Sequence, residues 1–257
     1  MPGPMRFDVV TLFPELFEAP LRHGVTRRAF EDRRVDVRLW PLRDHADDPY
    51  RRVDDRPYGG GPGMVMLVEP LERALAAIRA DRGPESVAPV VHFTPAGRRL
   101  DQALVERFAA GPGAILVCGR YEGVDQRFID RHVDLEVSLG DFVLSGGELP
   151  ALCLLDAVAR LQEGVLNDPQ SHRDDSFGDE GGGLLEGPHY SRPETLPGEG
   201  GTVPVLLLSG NHAAVARWRR ERALEVTARR RPDLLAAARA AGRLSAEDER
   251  FLKALGL

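Results

Sequence analysis

Three short strings carry the residue types that let a backbone wrap closely around a ligand. They are Thr94-Pro95-Ala96-Gly97, Gly119-Arg120-Tyr121-Glu122-Gly123, and the run Leu139-Gly140-Asp141-Phe142-Val143-Leu144-Ser145-Gly146-Gly147-Glu148. Glycine permits close backbone approach and positive φ. One such string is an ordinary turn. Three, each following an apolar β-prone run, point to a pocket, because parallel α/β sheets bind ligands beyond the carboxyl ends of their strands. Other chemistries lack their residues. There is no GxxxxGK[ST] string for a P-loop and no GxSxG elbow. The seven histidines are scattered without metal-ligand spacing, so no metal site is expected. The glycine run Tyr58–Gly63 lacks the dinucleotide fingerprint.

These loops need strands to hold them. Candidate strands are Phe7–Leu12, Val35–Trp40, Val90–Thr94, Ala114–Cys118 and Leu135–Val137. Helical patterns lie between them near Thr26–Asp32, Pro70–Ala80, Asp101–Ala109 and Asp125–Arg131. Alternating strands and helices imply a parallel sheet covered on both faces. A further helix, Leu149–Gln162, repeats Leu152, Leu155, Val158 and Ala159 at helical spacing and closes the domain. From Glu163 to Gly187 the chain turns polar, glycine-rich and acidic, as in a linker or mobile loop. After the short apolar run Val203–Leu208 come helical patterns at Ala213–Thr227, Asp233–Ala240 and Ala246–Leu255, with Pro232 suited to a first helical turn. The expected organisation is residues 1–162 as an α/β domain, 163–187 as a flexible linker or lid, and 188–257 as a small helical domain.

Charge divides along the same line. The chain of 257 residues carries −6 overall, yet residues 202–257 hold 11 basic against 6 acidic side chains, leaving −11 on the remainder. A basic appendage suits phosphate binding, although a solvated arginine-rich helix face produces the same count. No apolar run approaches the roughly 20 residues of a membrane helix, and the first seven residues lack a signal layout. Cys118 and Cys153 both lie in apolar segments and read as free core thiols, which suits a cytoplasmic protein.

Six strings then become recognisable: DDRPYGGGPGM at 54–64, GRYEGVDQR at 119–127, SLGDFVLSGGELPA at 138–151, DDSF at 174–177, PHYSRPE at 188–194 and LSGNHA at 208–213. In this order and spacing they resemble the bacterial tRNA (guanine-N1)-methyltransferase family, which modifies the guanosine just 3′ of the anticodon. The resemblance implies S-adenosylmethionine as methyl donor and tRNA as substrate. It implies a knotted, SPOUT-class α/β fold, in which a parallel sheet flanked by helices ends in a C-terminal trefoil knot, with a helical tRNA-binding domain after it. Pattern alone would not propose a knot, because threaded chains are almost absent from proteins. The family is homodimeric, with each active site shared between subunits. It is also associated with magnesium, for which no ligand cluster is visible in the sequence.

Carried over by position, the resemblance places the cofactor on Thr94, Pro95, Gly119, Gly123, Leu139, Gly140, Asp141, Phe142, Val143, Leu144, Gly146, Gly147 and Pro150. These coincide with the three glycine-bearing strings. It makes Asp175 the general base that removes the proton from guanine N1, and Arg160 the cation that stabilises charge on O6. Glu122 accepts hydrogen bonds from the guanine edge, and Ser176 assists beside Asp175. Each has a plainer reading. Asp174 and Asp175 are two acids in an acidic loop, Arg160 is an i−4 partner of Asp156, and Glu122 favours a following helix dipole. Arg217, Arg219, Arg220, Arg222 and Arg229–Arg231 are phosphate-contact candidates. Trp218 reads as packing, and His189 and Tyr190 as anchors of the helical domain.

The sequence departs from the family pattern at Ala96, where many members have glutamine, at Phe142, where many have tyrosine, and in an added GDEGGG stretch of the linker. That stretch looks like the acidic glycine loop of ordinary Rossmann methyltransferases, but it follows no strand and opens no helix. The alternatives are a knotted RNA methyltransferase with another target atom, a non-catalytic RNA-binding protein, and a small-molecule methyltransferase. The DDSF and PHYSRPE strings oppose the first, the joint presence of Asp175, Arg160 and Glu122 the second, and the basic helical region the third.

Overall fold

The computed structural model describes residues 5–84, 87–166, 175–178, 181–198 and 200–257. The chain divides into two compact units, Met1–Asn167 and Asp168–Leu257.

The first unit is built on a five-stranded sheet of β1 (Met5–Thr11), β2 (Val35–Pro41), β5 (Val90–Arg99), β6 (Gly113–Val117) and β7 (Leu135–Ser138). Their order is β2-β1-β6-β5-β7, and every pairing is parallel. Two further strands, β3 (Asp54–Asp55) and β4 (Val65–Met66), form a separate antiparallel hairpin. Helices α1 (Glu18–Arg22), α2 (Arg27–Glu31), α3 (Val68–Arg82), α4 (Gln102–Ala109), α5 (Gln126–His132) and α6 (Glu148–Arg160) complete the unit.

The central strand shows why both faces are covered. Successive side chains of a strand point to opposite faces. In β6, Ala114 and Leu116 enter one apolar cluster with Phe7, Val91, Leu104, Leu154 and Val158, while Ile115 and Val117 enter another with Leu71, Leu75, Ile78 and Phe128. Helices α4 and α6 therefore cover one face, and α3 and α5 the other. Asp8 is one of the polar exceptions. It is fully buried, and it accepts hydrogen bonds from Trp40 Nε1 at 2.7 Å, Arg6 Nη2 at 2.6 Å and Arg82 Nε at 2.5 Å, partners that offset the cost of burying it.

Two expectations need correction. Thr94–Gly97 is not a loop after a strand, because β5 continues to Arg99. Phe93 and Arg98 both pair with Val137, so residues 94–97 bulge out between them. Pro95 cannot donate to the ladder. Gly97 lies so close to β7 that an added Cβ would sit 2.4 Å from the Val137 nitrogen. Cys153 is exposed rather than a core thiol, since it falls on the outer face of α6, whereas Cys118 is buried. Burial pushes the Cys118 thiol well up, with the Glu148 carboxylate adding to the effect, which favours the neutral thiol.

The second unit packs α7 (His212–Arg230), α8 (Pro232–Ala240) and α9 (Ala246–Ala254) around Leu224, Leu235, Ala238 and Leu252. Pro232 opens α8 as expected, and Ser245 with Asp248 forms a reciprocal capping box on α9. The apolar run 203–208 forms a 3₁₀ turn at Val205–Leu208. Part of the expected linker belongs to this unit's core: Leu184 is buried in the helical cluster, and Leu185 N–H donates to Thr227 Oγ1 at 2.9 Å. Val165, at its other end, is buried against the sheet. Asp174 and the intervening residues 167–173 lie outside the described residues, as do Asp179 and Glu180 of the added stretch.

Candidate active site

Strands β6, β5 and β7 are neighbours and parallel, so their carboxyl ends face one side of the sheet. That edge carries the bulge 94–97, the turn 119–123 and the run 139–147. Hydrogen bonds and an ion pair join them. Gly147 N–H donates to the Gly119 carbonyl at 2.9 Å, Leu100 N–H donates to the Ser138 carbonyl at 2.8 Å, and Arg99 reaches Asp141 at 3.3 Å. Glycine is required at two of these approaches. A Cβ on Gly147 would meet Cys118 Cα at 2.7 Å, and one on Gly146 would meet Arg120 Nε at 2.3 Å. Gly123 and Gly140 take φ of 144° and 151°, outside the range of other residues, and Gly123 opens onto free space.

Of the cofactor candidates, Thr94, Gly119, Gly123, Leu139, Gly140, Leu144 and Gly146 are half-buried around this edge. Pro95, Asp141, Phe142 and Val143 are exposed, and Gly147 and Pro150 are buried beneath it. Backbone-rich loops with open glycines and nearby apolar side chains suit a small ligand held largely by main-chain hydrogen bonds.

Glu122 stands in the turn after β6, with Tyr121 before it at φ 59°. Its N–H donates to the Met64 carbonyl at 3.0 Å, and Met66 N–H donates to the Gly123 carbonyl at 2.9 Å. The β3–β4 hairpin thus backs the turn, and the glycine-rich string between its strands has a structural task. A Cβ on Gly63 would meet Glu122 Oε1 at 2.3 Å. Burial, with the Asp54 carboxylate beside it, pushes the Tyr121 phenol up. Arg160 is the last residue of α6, half-buried. It lies 12 residues beyond Glu148, about 18 Å along the helix from the glycine edge at 1.5 Å per residue.

Asp175 and Ser176 belong to the second unit. Gly178 N–H donates to the Asp175 carbonyl at 3.1 Å, and Ser176 Oγ accepts from Glu186 N–H at 3.0 Å. Ser176 thereby shapes the turn that presents Asp175. Asp175 lines a cleft of about 690 Å³ with Leu184, Glu186, Arg219 and Arg220. Gly181 of the added glycine stretch docks here, since Arg220 donates to its carbonyl at 2.8 Å.

The arginine candidates separate clearly. Arg217 and Arg220 pair with Asp248 at 3.2 and 3.1 Å, Arg222 and Arg229 pair with Glu225, and Arg231 pairs with Asp233. Among the described residues, Arg219 and Arg230 take part in no ion pair, and both are exposed. Trp218 is half-buried with its ring 6.2 Å from that of Tyr190 at a 54° tilt, lining a second cleft with His189 and Arg192. No cluster of His, Cys, Asp or Glu able to hold a metal occurs among the described residues. No helix of the described residues is long and apolar enough to cross a membrane.

Sequence reasoning missed a buried group under the glycine edge. Glu148, at the start of α6, is fully buried, accepts from Thr11 Oγ1 at 2.9 Å and lies 2.8 Å from Arg120 Nε. Both residues stood within quoted strings, but only the fold shows that they meet.

A parallel α/β unit with an open, glycine-lined edge at the ends of adjacent strands, followed by a helical unit, defines the class of protein by its architecture. Comparison with known proteins narrows this. The profile of the family described as tRNA (Guanine-1)-methyltransferase TrmD matches residues 5–237, and the chain belongs to that family. A protein of Leptothrix cholodnii named tRNA (guanine-N(1)-)-methyltransferase is 69% identical over 255 residues, covering 98% of this chain and 100% of its own. A protein of the same name from Methylibium petroleiphilum is 68% identical over 98% of each chain. One from Janthinobacterium is 54% identical over 98% of this chain and 100% of its own.

Proposed function

We propose that this chain transfers a methyl group from S-adenosylmethionine to N1 of guanosine 37, the guanosine 3′ of the anticodon, in tRNA. The observation that carries this reading is family membership across residues 5–237, joined to a glycine-lined edge whose loops coincide with the cofactor positions implied by the motifs.

The donor supplies an electrophilic methyl group on a sulfonium. The chain's residues must hold it and prepare the acceptor. Backbone groups at 94–95, 119–123 and 139–144 hold the donor. N1 of neutral guanine carries a proton and is a poor nucleophile, so a base must take that proton as the methyl carbon leaves sulfur and bonds to nitrogen. Asp175 takes it. Arg160 stabilises the negative charge that gathers on O6, and Glu122 fixes the base by accepting from its N–H edge.

The distance along α6 from Gly147 to Arg160 supports a site shared between two copies of the chain. One copy would then supply the cofactor loops and the other Arg160. Exposed Phe142, Val143 and Leu149 beside the glycine edge support a homodimer for the same reason, since they are apolar groups in need of cover. A threaded, knotted course fits the tight passage of Gly147 against Cys118. The helical unit would hold tRNA phosphates through Arg219 and Arg230. A cytoplasmic location follows from the substrate.

The test is label transfer from S-adenosylmethionine to a transcript with guanosine at position 37, beside one with adenosine there. Transfer to the first alone supports the reading. Transfer to both, or to neither, overturns it.

A further inference from the structure

We propose that Arg120 and Glu148 form a positioning pair that sets the geometry of the cofactor edge. This rests on the methyl-transfer reading above. Three chain segments meet at this pair: the end of β1 through Thr11, the turn after β6 through Arg120, and the run after β7 through Ser145–Glu148. The Glu148 carboxylate is fully buried, with one oxygen accepting from the buried Thr11 hydroxyl at 2.9 Å and the other 2.8 Å from Arg120 Nε, an ion-pair contact whose angles fall outside hydrogen-bond geometry. Arg120 Nη1 donates to the Ser145 carbonyl at 3.2 Å, and the guanidinium carbon lies 4.5 Å from the centre of the Phe13 ring. One planar cation therefore grips the helix start and the loop before it.

The surroundings are shaped to admit this pair. A Cβ at Gly146 would meet both Arg120 Nε, at 2.3 Å, and Glu148 Oε2, at 2.6 Å. A buried ion pair contributes little net stability, because desolvation cancels most of the attraction, but removing one partner leaves the other as an uncompensated buried charge that its surroundings must shift to accommodate. Here the displaced elements are the two glycine loops that hold the donor, and Arg120 is two residues from Glu122. Reacting groups misplaced by about 1 Å lose roughly 10²-fold in rate. The pair touches no reacting atom in this account and acts through the loops.

The experiment compares full-length wild type with Arg120→Ala, Arg120→Lys, Glu148→Gln and the double variant Arg120→Ala/Glu148→Gln. It measures S-adenosylmethionine Kd by calorimetry, tRNA Kd by filter binding, kcat, and thermal unfolding. Arg120→Ala and Glu148→Gln should each weaken donor binding about tenfold and lower kcat/KM about 10²-fold, leaving tRNA Kd within about twofold. Arg120→Lys, which keeps the charge and loses the fork to Ser145, should fall between. The double variant should be no worse than the singles, since both disable one device. Thr11→Val, which removes a single hydrogen bond, gives a folded readout in the same direction should Glu148→Gln not fold. Folded variants with unchanged donor Kd and kcat overturn the positioning role. An equal loss of donor and tRNA affinity also overturns it, as general structural damage. Wild type that binds no S-adenosylmethionine overturns instead the methyl-transfer reading beneath.

Discussion

Asp175 carries the most specific chemical duty in the proposed reaction. Its backbone is fixed by the turn to Gly178 and by Ser176, which answers Glu186. Replacing the carboxylate by an amide preserves shape and removes the proton acceptor. Asp175→Asn should therefore leave S-adenosylmethionine affinity unchanged and lower kcat by about 10²–10⁴-fold, read in single-turnover assays. Undiminished turnover would remove it as the base. Ser176→Ala should have a small effect on chemistry, because its hydroxyl is already spent on the Glu186 amide. At this scale the sequence was informative where residue type is itself the signal: glycines at 119, 123, 140, 146 and 147 stand out in any reading. Arg120 with Glu148 was not legible, since the partners are 28 positions apart and meet only through strand pairing.

Elements decide how these residues are held. Gly147 has ordinary φ of −80°, so space rather than dihedral freedom demands glycine there. Gly147→Ala should push α6 away from Cys118 and destabilise the first unit by about 1–3 kcal/mol in urea unfolding, typical of overpacking. In the second unit, Asp248 ties α9 to α7. Burial pushes its carboxyl up, but hydrogen bonds from Arg220 and the Ser245 backbone outweigh this and hold its pKa below the ordinary carboxylate value. A group depressed in the folded state contributes stability above its unfolded pKa of about 3.9, lost as pH falls through the folded value. Unfolding of wild type should therefore steepen below about pH 4, and Asp248→Asn should flatten that limb while lowering stability at neutral pH. The strands and helices were largely readable from periodicity. The β5 bulge was not, because Thr94–Gly97 reads locally as a turn, and only pairing with β7 reveals that the strand resumes at Arg98.

For the whole molecule, the charge count shows a basic segment at 202–257, but the second unit as a whole, Asp168–Leu257, holds 13 basic against 14 acidic side chains, so the charge boundary does not follow the unit boundary. The count could not sort the arginines. Arg217, Arg220, Arg222, Arg229 and Arg231 are engaged by acids within the helical unit, so charge that looked available for RNA holds helices together. Arg219→Ala and Arg230→Ala should each weaken tRNA binding and reduce the slope of log K against log salt by about one. Arg220→Ala should instead lower the unfolding midpoint of the helical unit. Unchanged slopes in both exposed variants would place the RNA elsewhere. The most direct test of the methyl-transfer account is identification of the methylated atom. Transcript treated with enzyme and S-adenosylmethionine would be digested to nucleosides and resolved by mass spectrometry against standards. The account predicts 1-methylguanosine, stoichiometric with the guanosine 3′ of the anticodon. A methyl group on ribose, on another ring atom or on another nucleotide would contradict it.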